Sequence, residues 1–332
     1  LKSWLSECDA EHSACGTGDV IINQAYPKRL VQVAGGIVRL VELPWDSTET
    51  YMTLSHCWGS KSDDVLRTLS TNITSMRQSI DWDEIPPTFQ DAIRITRLMQ
   101  CDFIWIDSLC IIQDDKSDWE DHAAQMAGIY SNSYLNIAAT ASKNPFQGFL
   151  SARTWTANLP HEADTRPLKS YSLSCNVVAR PHLHQAHQAF FSSDERKLDL
   201  LQHDHVPLLR RAWVFQERML SRRTLHFTGS EMIWECRDRT LCECGDYNVW
   251  PETGNFKNYF AQEISESTFP GDLGALFVWE ACVQEFTSLD ISDPSDWPQA
   301  FAGLATRFAP HLQSNYVAGL WEREFAVCLT WF

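Results

Sequence analysis

Apolar and polar positions follow two rhythms along the chain, and the changes between them predict its elements. IVRLVEL at 37–43 and TYMTLSH at 50–56 alternate with a period of two, which predicts strands. FIWID at 103–107 is a short apolar run whose length and isoleucine content predict a buried strand, and YLNIAAT at 134–140 reads the same way. Helical spacing takes over between them. Trp4, Leu5 and Cys8 share one face and predict a short helix within residues 1–15. A polar loop at 60–64 leads into a helical stretch at 65–79. Pro86 and Pro87 interrupt the chain, and Thr88 is placed to N-cap a helix to about Gln100, with Asp91 completing a capping box. Ser117 and Glu120 form a second such signature, opening a helix to about Asn132.

Strand, helix, strand, helix, strand over 50–140 predicts an α/β fold with a mostly parallel central sheet flanked by helices. The segments 50–58, 103–107 and 134–139 should be neighbouring strands, joined by right-handed crossovers. Residues 151–205 hold His182, His184, His187, His203 and His205 with little periodicity, and read as a loop-rich insertion. RAWVFQERML at 211–220 is spaced as a helix, and RTLHFT (223–228) with EMIWEC (231–236) reads as a hairpin across Gly229-Ser230. From about 274 the pattern is that of an irregular helical C-terminal portion, with Gly303 and Gly319 near breaks. The expected organisation is a core with its N-terminal helix (1–150), the insertion (151–205), and the remainder of the core with the helical C-terminal portion (206–332).

Composition narrows the function. The chain has 332 residues, 44% hydrophobic and 21% charged, enough for a packed core. Its 27 Lys+Arg against 43 Asp+Glu give a net charge of −16, which disfavours nucleic acid or an anionic membrane as the main partner. No apolar run spans a bilayer, and LKSWLSEC has no signal-peptide core, so a cytoplasmic protein is expected. The 11 cysteines are irregularly spaced and read as thiols rather than a disulfide framework. The 14 tryptophans suggest a rigid core with polar positions inside it.

Three segments carry candidate chemistry. In TLSHCWGS (53–60) a strand ends in a glycine turn, placing Ser55, His56, Cys57 and Trp58 at the carboxyl edge where open α/β sheets bind ligands. His56 and Cys57, as strand neighbours, point to opposite faces, so a thiol dyad is disfavoured and Cys57 reads as structural. In the second segment Asp107, Asp114, Asp115 and Glu120 surround one strand-to-helix junction that also holds Cys110. Such carboxylates bind ribose hydroxyls or stabilise an oxocarbenium-like centre. Equally weighted is a structural reading, in which Asp114 or Asp115 caps the helix; for Glu120 alone the capping role is favoured. Trp119, His122, Ala123 and Met126 share the inward helix face. The third segment sets Arg211, Gln216, Glu217 and Arg218 on an otherwise apolar helix, either to meet the carboxylates or as a surface salt-bridge array. The catalytic candidates are thus His122, Asp107, Asp114 and Glu120. The substrate-binding candidates are Ser55, His56, Cys57, Trp58, Cys110, Asp115, Trp119, Arg211, Gln216 and Glu217. Cys8, His12 and Cys15 lie at helical spacing and Cys236, Cys242 and Cys244 cluster later, but neither group has the paired CxxC spacing of a zinc module. HxHxxH at 182–187 is no stronger, and no metal is expected.

YMTLSHCWG at 51–59, WIDSLCIIQDD with DWEDHAAQMAGIYSNSYLNIAAT at 105–140, and RAWVFQERMLSRRTLHFT with WEC at 211–236 together resemble the fungal heterokaryon-incompatibility (HET) domain. W-L-x-x-C-x-x-x-H-x-x-C at the start, KRLVQV at 28–33 and YVAGLWEREF at 316–325 resemble the flanks of such proteins. The resemblance implies a fungal cytosolic protein of nonself recognition and regulated cell death. It also implies a TIR-like fold, whose members can cleave NAD⁺. A small-molecule or nucleotide ligand follows, with NAD as candidate substrate rather than cofactor, and a second copy of the chain as a candidate partner. The family pattern W-x-x-E departs here to His122, three residues after Trp119. On that ground NAD⁺ cleavage is expected to be weak. The alternatives are a small-molecule acid/base enzyme such as a cyclase in secondary metabolite biosynthesis, pairing His122 with Asp107 or Asp114, and a non-catalytic interaction module. On the enzyme reading His122 should meet the same cavity as Asp107 or Asp114, and His122→Ala should abolish native chemistry.

Overall fold

A computed structural model describes residues 1–16, 26–44, 47–59, 64–150, 206–245, 257, 260–261 and 273–329. The expected insertion at 151–205 lies outside the described residues. The first elements are a helix α1 (Lys2–Glu11), and strands β1 (Arg29–Gln32), β2 (Arg39–Glu42) and β3 (Tyr51–Ser55). Helices α2 (Ile73–Gln78) and α3 (Pro87–Leu98) lead to β4 (Phe103–Trp105). Then come α4 (Asp107–Cys110), α5 (Lys116–Asn132) and β5 (Leu135–Ala138). Beyond residue 205 follow α6 (Ala212–Leu220) and three strands, β6 (Arg223–Phe227), β7 (Met232–Cys236) and β8 (Thr240–Cys242). Helices α7 (Leu273–Thr287) and α8 (Trp297–Leu312), a small hairpin β9 (Tyr316–Val317) and β10 (Leu320–Trp321), and α9 (Phe325–Cys328) complete the described order.

One sheet runs β2-β1-β4-β3-β5-β6-β7-β8. Its centre, β4-β3-β5-β6, is parallel, and antiparallel pairs extend it at both edges. The α/β expectation therefore holds, and 50–58, 103–107 and 134–139 supply three adjacent strands with α3 and α5 between them in sequence. Every position of β3, β5 and β6 is buried, as in a parallel sheet covered on both faces.

Several local expectations are corrected. Only Ile73–Gln78 of the 65–79 stretch is an α-helix. Ahead of it the Asn72 side chain accepts from the Leu69 amide at 2.8 Å, a local bond that competes with helical pairing. Helix α3 starts two residues earlier than predicted, with Pro87 in its first turn and Pro86 as N-cap. Asp91 closes no capping box; it accepts from the Phe149 and Leu150 amides at 2.8 and 2.9 Å and from Arg94 at 2.7 Å. Asp115 rather than Ser117 caps α5, accepting from the Ser117 and Asp118 amides.

Two apolar cores meet along α6. One surrounds the sheet, with Leu30, Phe89, Ile104 and Trp105 at its centre. The other joins α6 to α7 and α8 through Phe215, Trp279, Phe286, Phe301 and Phe308. Gly303 does not break α8 as expected but lies inside it, because another helix passes close there. A Cβ at Gly303 would stand 2.3 Å from the Gln216 Oε1 atom and 2.8 Å from the Ala127 Cβ. The Gly303 amide donates to Gln216 at 2.9 Å. Gly303→Ala should therefore destabilise the fold by about 1–2 kcal/mol, overpacking outweighing the gain in helix propensity. Equilibrium urea unfolding measures this; a variant as stable as the parent would show that the helices separate without cost.

Candidate active site

The β3 backbone sets the site. Thr53 and Ser55, two apart, share one face of the strand, and the Asn136 side chain of β5 meets both. Thr53 Oγ1 is 3.1 Å from Asn136 Oδ1, and Asn136 Nδ2 donates to Ser55 Oγ at 3.0 Å. Ser55 in turn donates to the Glu217 carboxylate, which α6 delivers from across the sheet. Glu217 is buried, and burial pushes its carboxyl up to about 7. The charge of Asp107 adds to that rise, while the Ser55 and Tyr130 hydroxyls and the Arg211 charge oppose it. A carboxyl poised near neutrality can hold or release a proton at physiological pH.

Beside it stands a second group. Asp107, the first residue of α4, accepts from Trp58 Nε1 at 2.8 Å and from the Ser108 amide at 2.7 Å. His56 Nδ1 faces the other Asp107 oxygen at 3.6 Å. The His56 ring is wedged between Trp58 and Phe89, and its Nε2 has no partner among the described residues. Burial pushes the His56 pKa down, partly offset by Asp107, so the ring is neutral at pH 7. Cys57 lies in a small apolar cluster with Ala138, Leu208, Val214 and Ile233. Burial raises its thiol pKa, which leaves it an inert thiol.

The structure thus gathers Ser55, His56, Trp58, Asp107 and Glu217 at the carboxyl edge of the parallel strands, with Arg211 near enough to act on both His56 and Glu217. The other candidates lie elsewhere. Asp114 is exposed and binds the Ser70 amide and hydroxyl at 2.8 and 2.6 Å. Asp115 is a helix cap, and Glu120 is exposed on α5, paired with Lys116 at 3.5 Å. Trp119 is half-buried against the sheet core, and Cys110 is buried within it, its thiol pushed up to about 12. Gln216 faces α8.

His122 is inward, as its helix phase predicts, yet its partner is Asp118 rather than Asp107 or Asp114. Its Nδ1 lies 2.7 Å from the Asp118 carbonyl and 3.6 Å from the Asp118 carboxylate. That carboxylate binds the Arg29 guanidinium and the Ile112 amide. Burial raises the Asp118 pKa, but these bonds and the neighbouring positive charges outweigh it and hold the carboxyl at about 2. Burial lowers the His122 pKa. The Asp118 cluster ties β1 to α5 and reads as structural. Sequence reasoning missed Asp118, Tyr130 and Asn136. A lone polar Asn136 among apolar strand neighbours was the available signal, since buried polar groups are the informative exceptions.

Helix α6 is also anchored on its far side. Arg218 makes two bonds to Glu235 of β7, at 2.8 and 2.6 Å. His226 Nε2 lies 3.2 Å from the same carboxylate, and its Nδ1 lies 3.0 Å from Thr140 Oγ1. The buried Lys257 amine donates to Thr224 at 3.2 Å. No helix of the described residues is long and apolar enough to cross a membrane.

Searches of the curated proteins and of the solved structures return no match. A family model does match, over residues 51–217, half of the chain, and its span runs from the first residue of β3 to Glu217 itself. That family is described as heterokaryon incompatibility protein (HET), and the chain belongs to it.

Proposed function

We propose that the chain is a nonself-recognition and cell-death protein that cleaves the N-glycosidic bond of NAD or a related nucleotide, with Glu217 as its acid/base group. The observation that carries this reading is the buried Glu217 carboxyl, bonded to Ser55 at the carboxyl edge of the parallel strands and poised near pH 7. That edge is where open α/β sheets receive nucleotides. An ionised Glu217 suits the positive charge that develops at the ribose as the glycosidic bond breaks. The bond's electron pair leaves with the nicotinamide nitrogen. Water adds to the anomeric carbon and gives its proton to Glu217. Asp107, flanked by Trp58 and His56, is the group placed to accept from ribose hydroxyls. The departure at His122 loses its force on this geometry, since a carboxyl reaches the site from α6 rather than from α5.

Purified protein incubated with NAD⁺ should release nicotinamide and ADP-ribose, quantified by chromatography. Absence of release from NAD⁺ and from related pyridine and purine nucleotides would overturn the reading.

A further inference from the structure

We propose that Cys8, His12, Cys15 and Cys236 form a closed structural zinc site that fastens the N-terminal helix to the sheet. The ligand atoms of these four residues all lie within 4.8 Å of one another, and all four residues are buried. A tetrahedral zinc with bonds of about 2.3 Å to sulfur has edges of about 3.8 Å between its ligand atoms, so small side-chain adjustments complete the shell. Three thiols and an imidazole are a donor set that selects zinc over the hard cations.

The local fold explains how the ligands converge. Cys8 lies on the buried side of α1, which ends at Glu11. His12 is extended, and a single turn over Ser13–Cys15 brings Cys15 back toward the helix. The fourth ligand comes from far along the chain: Cys236 is the last residue of β7, paired in register with Arg223 at the start of β6. This is why the motif showed no paired CxxC spacing. Half of the usual pattern is replaced by one residue 224 positions from His12.

The surroundings suit bound thiolates. His12 Nδ1 faces the Cys236 sulfur at 3.3 Å, while its Nε2 points to the Asp238 carboxylate at 3.4 Å. A carboxylate behind a metal-bound imidazole fixes the tautomer that leaves the other nitrogen free to coordinate. Arg223 Nε donates to the Cys8 sulfur at 3.2 Å, and the Arg239 amide to the Cys236 sulfur at 3.4 Å. Three thiolates around a divalent ion carry one net negative charge, and the buried Arg223 guanidinium, which also pairs with Asp9, lies against it. Four protein ligands leave no open position, so the site is structural. It lies where β6 begins, at the opposite edge from Ser55, and all four ligands fall outside residues 51–217.

The test uses the full chain purified without chelator. Elemental analysis should find about one zinc per chain. Cobalt exchange should give the visible bands of a tetrahedral, thiolate-rich centre. Cys236→Ser and His12→Ala should lose the metal, whereas Cys244→Ser, in a different cysteine pair, should keep it. Should the two ligand variants fail to fold, the cobalt spectrum of the parent decides alone. No bound zinc together with no cobalt spectrum overturns the proposal, as does an intact mass showing two of these cysteines oxidised to a disulfide, or zinc retained in folded Cys236→Ser.

Discussion

Glu217→Gln should reduce nicotinamide release by about 100- to 10,000-fold, the range lost when a positioned acid/base group is removed. The substitution keeps the shape and a hydrogen-bonding group for Ser55, so the fold should persist. Two pH measurements separate this from a structural role. With the carboxylate as the working form, kcat/KM should rise with pH and level off above about 7, the value to which burial pushes Glu217. Stability should move the other way. A carboxyl at about 7 in the fold, against an ordinary 4.5 when unfolded, binds more proton folded than unfolded between those values. This carboxyl therefore favours the folded state at low pH, a contribution of roughly 3 kcal/mol that is lost as pH rises through about 7. The buried His56, His122 and His226, whose pKa values burial lowers, titrate with the opposite sign, so the difference between variants is the readout. Between about pH 5 and about pH 8 the urea midpoint of the parent should fall relative to that of Glu217→Gln. In cells, growth arrest on overexpression should disappear with the same substitution. His122→Gln should leave nicotinamide release unchanged, because that ring meets Asp118. Activity lost in His122→Gln but kept in Glu217→Gln would return the catalytic role to α5.

Glu235→Ala should cost about 3–5 kcal/mol, the penalty for leaving a buried ion without its counter-charge. Glu235 is fully buried and takes both bonds of the Arg218 guanidinium. Its carboxyl is held well below the usual range: burial raises it, but Arg218, His226 and Lys257 together lower it by more. Removing it takes their bonded or nearby carboxylate from two interior cations: Arg218, on which the Glu285 charge still acts, and the Lys257 amine, which burial has already pushed down to about 8. Replacing the Arg218–Glu235 pair together with apolar residues of matching volume should cost less, since the Arg218 charge is then not left behind and Lys257 alone loses its counter-charge. Denaturant titration of the single and paired variants measures the contrast. Equal losses in both would mean that side-chain packing rather than charge holds α6 against β7.

The centre of the fold was legible because β3 alternates with a period of two, β4 and β5 are short, mostly apolar runs, and prolines, capping residues and helical spacing mark α3 and α5. At the edges β2 and the β6–β7 hairpin were legible as well, whereas β1 and β8, of four and three residues, carry neither an alternating period nor a fully apolar run. Caps were misread because Thr88 and Ser117 have the right chemistry, yet a proline and Asp115 occupy the capping positions. At the site, residues ending strands were placed well: Ser55, His56, Trp58 and Asp107 all follow from the rule for sheet edges. Glu217 was grouped with them only as a polar head on an apolar helix, and its burial was invisible in sequence. Asp115 takes the capping role that was weighed equally with a ligand role, Asp114 binds Ser70 instead of joining Asp107, and Asp118 was overlooked. Spacing along a loop does not say which side chain turns inward, and only Asp118 finds Arg29 there.

The family match and the sheet have different limits, and this governs how the chain can be divided. Among the described residues, 51–217 contain β3, β4 and β5, three adjacent strands of the eight. A fragment cut at those limits would leave β4 without β1 and β5 without β6, opening two apolar strand edges to pairing with other chains. It would also free Gln216 from Gly303, next to Glu217. Such a fragment would aggregate instead of reporting on catalysis, so sequence boundaries drawn around the recognisable motif are not the boundaries of a working protein.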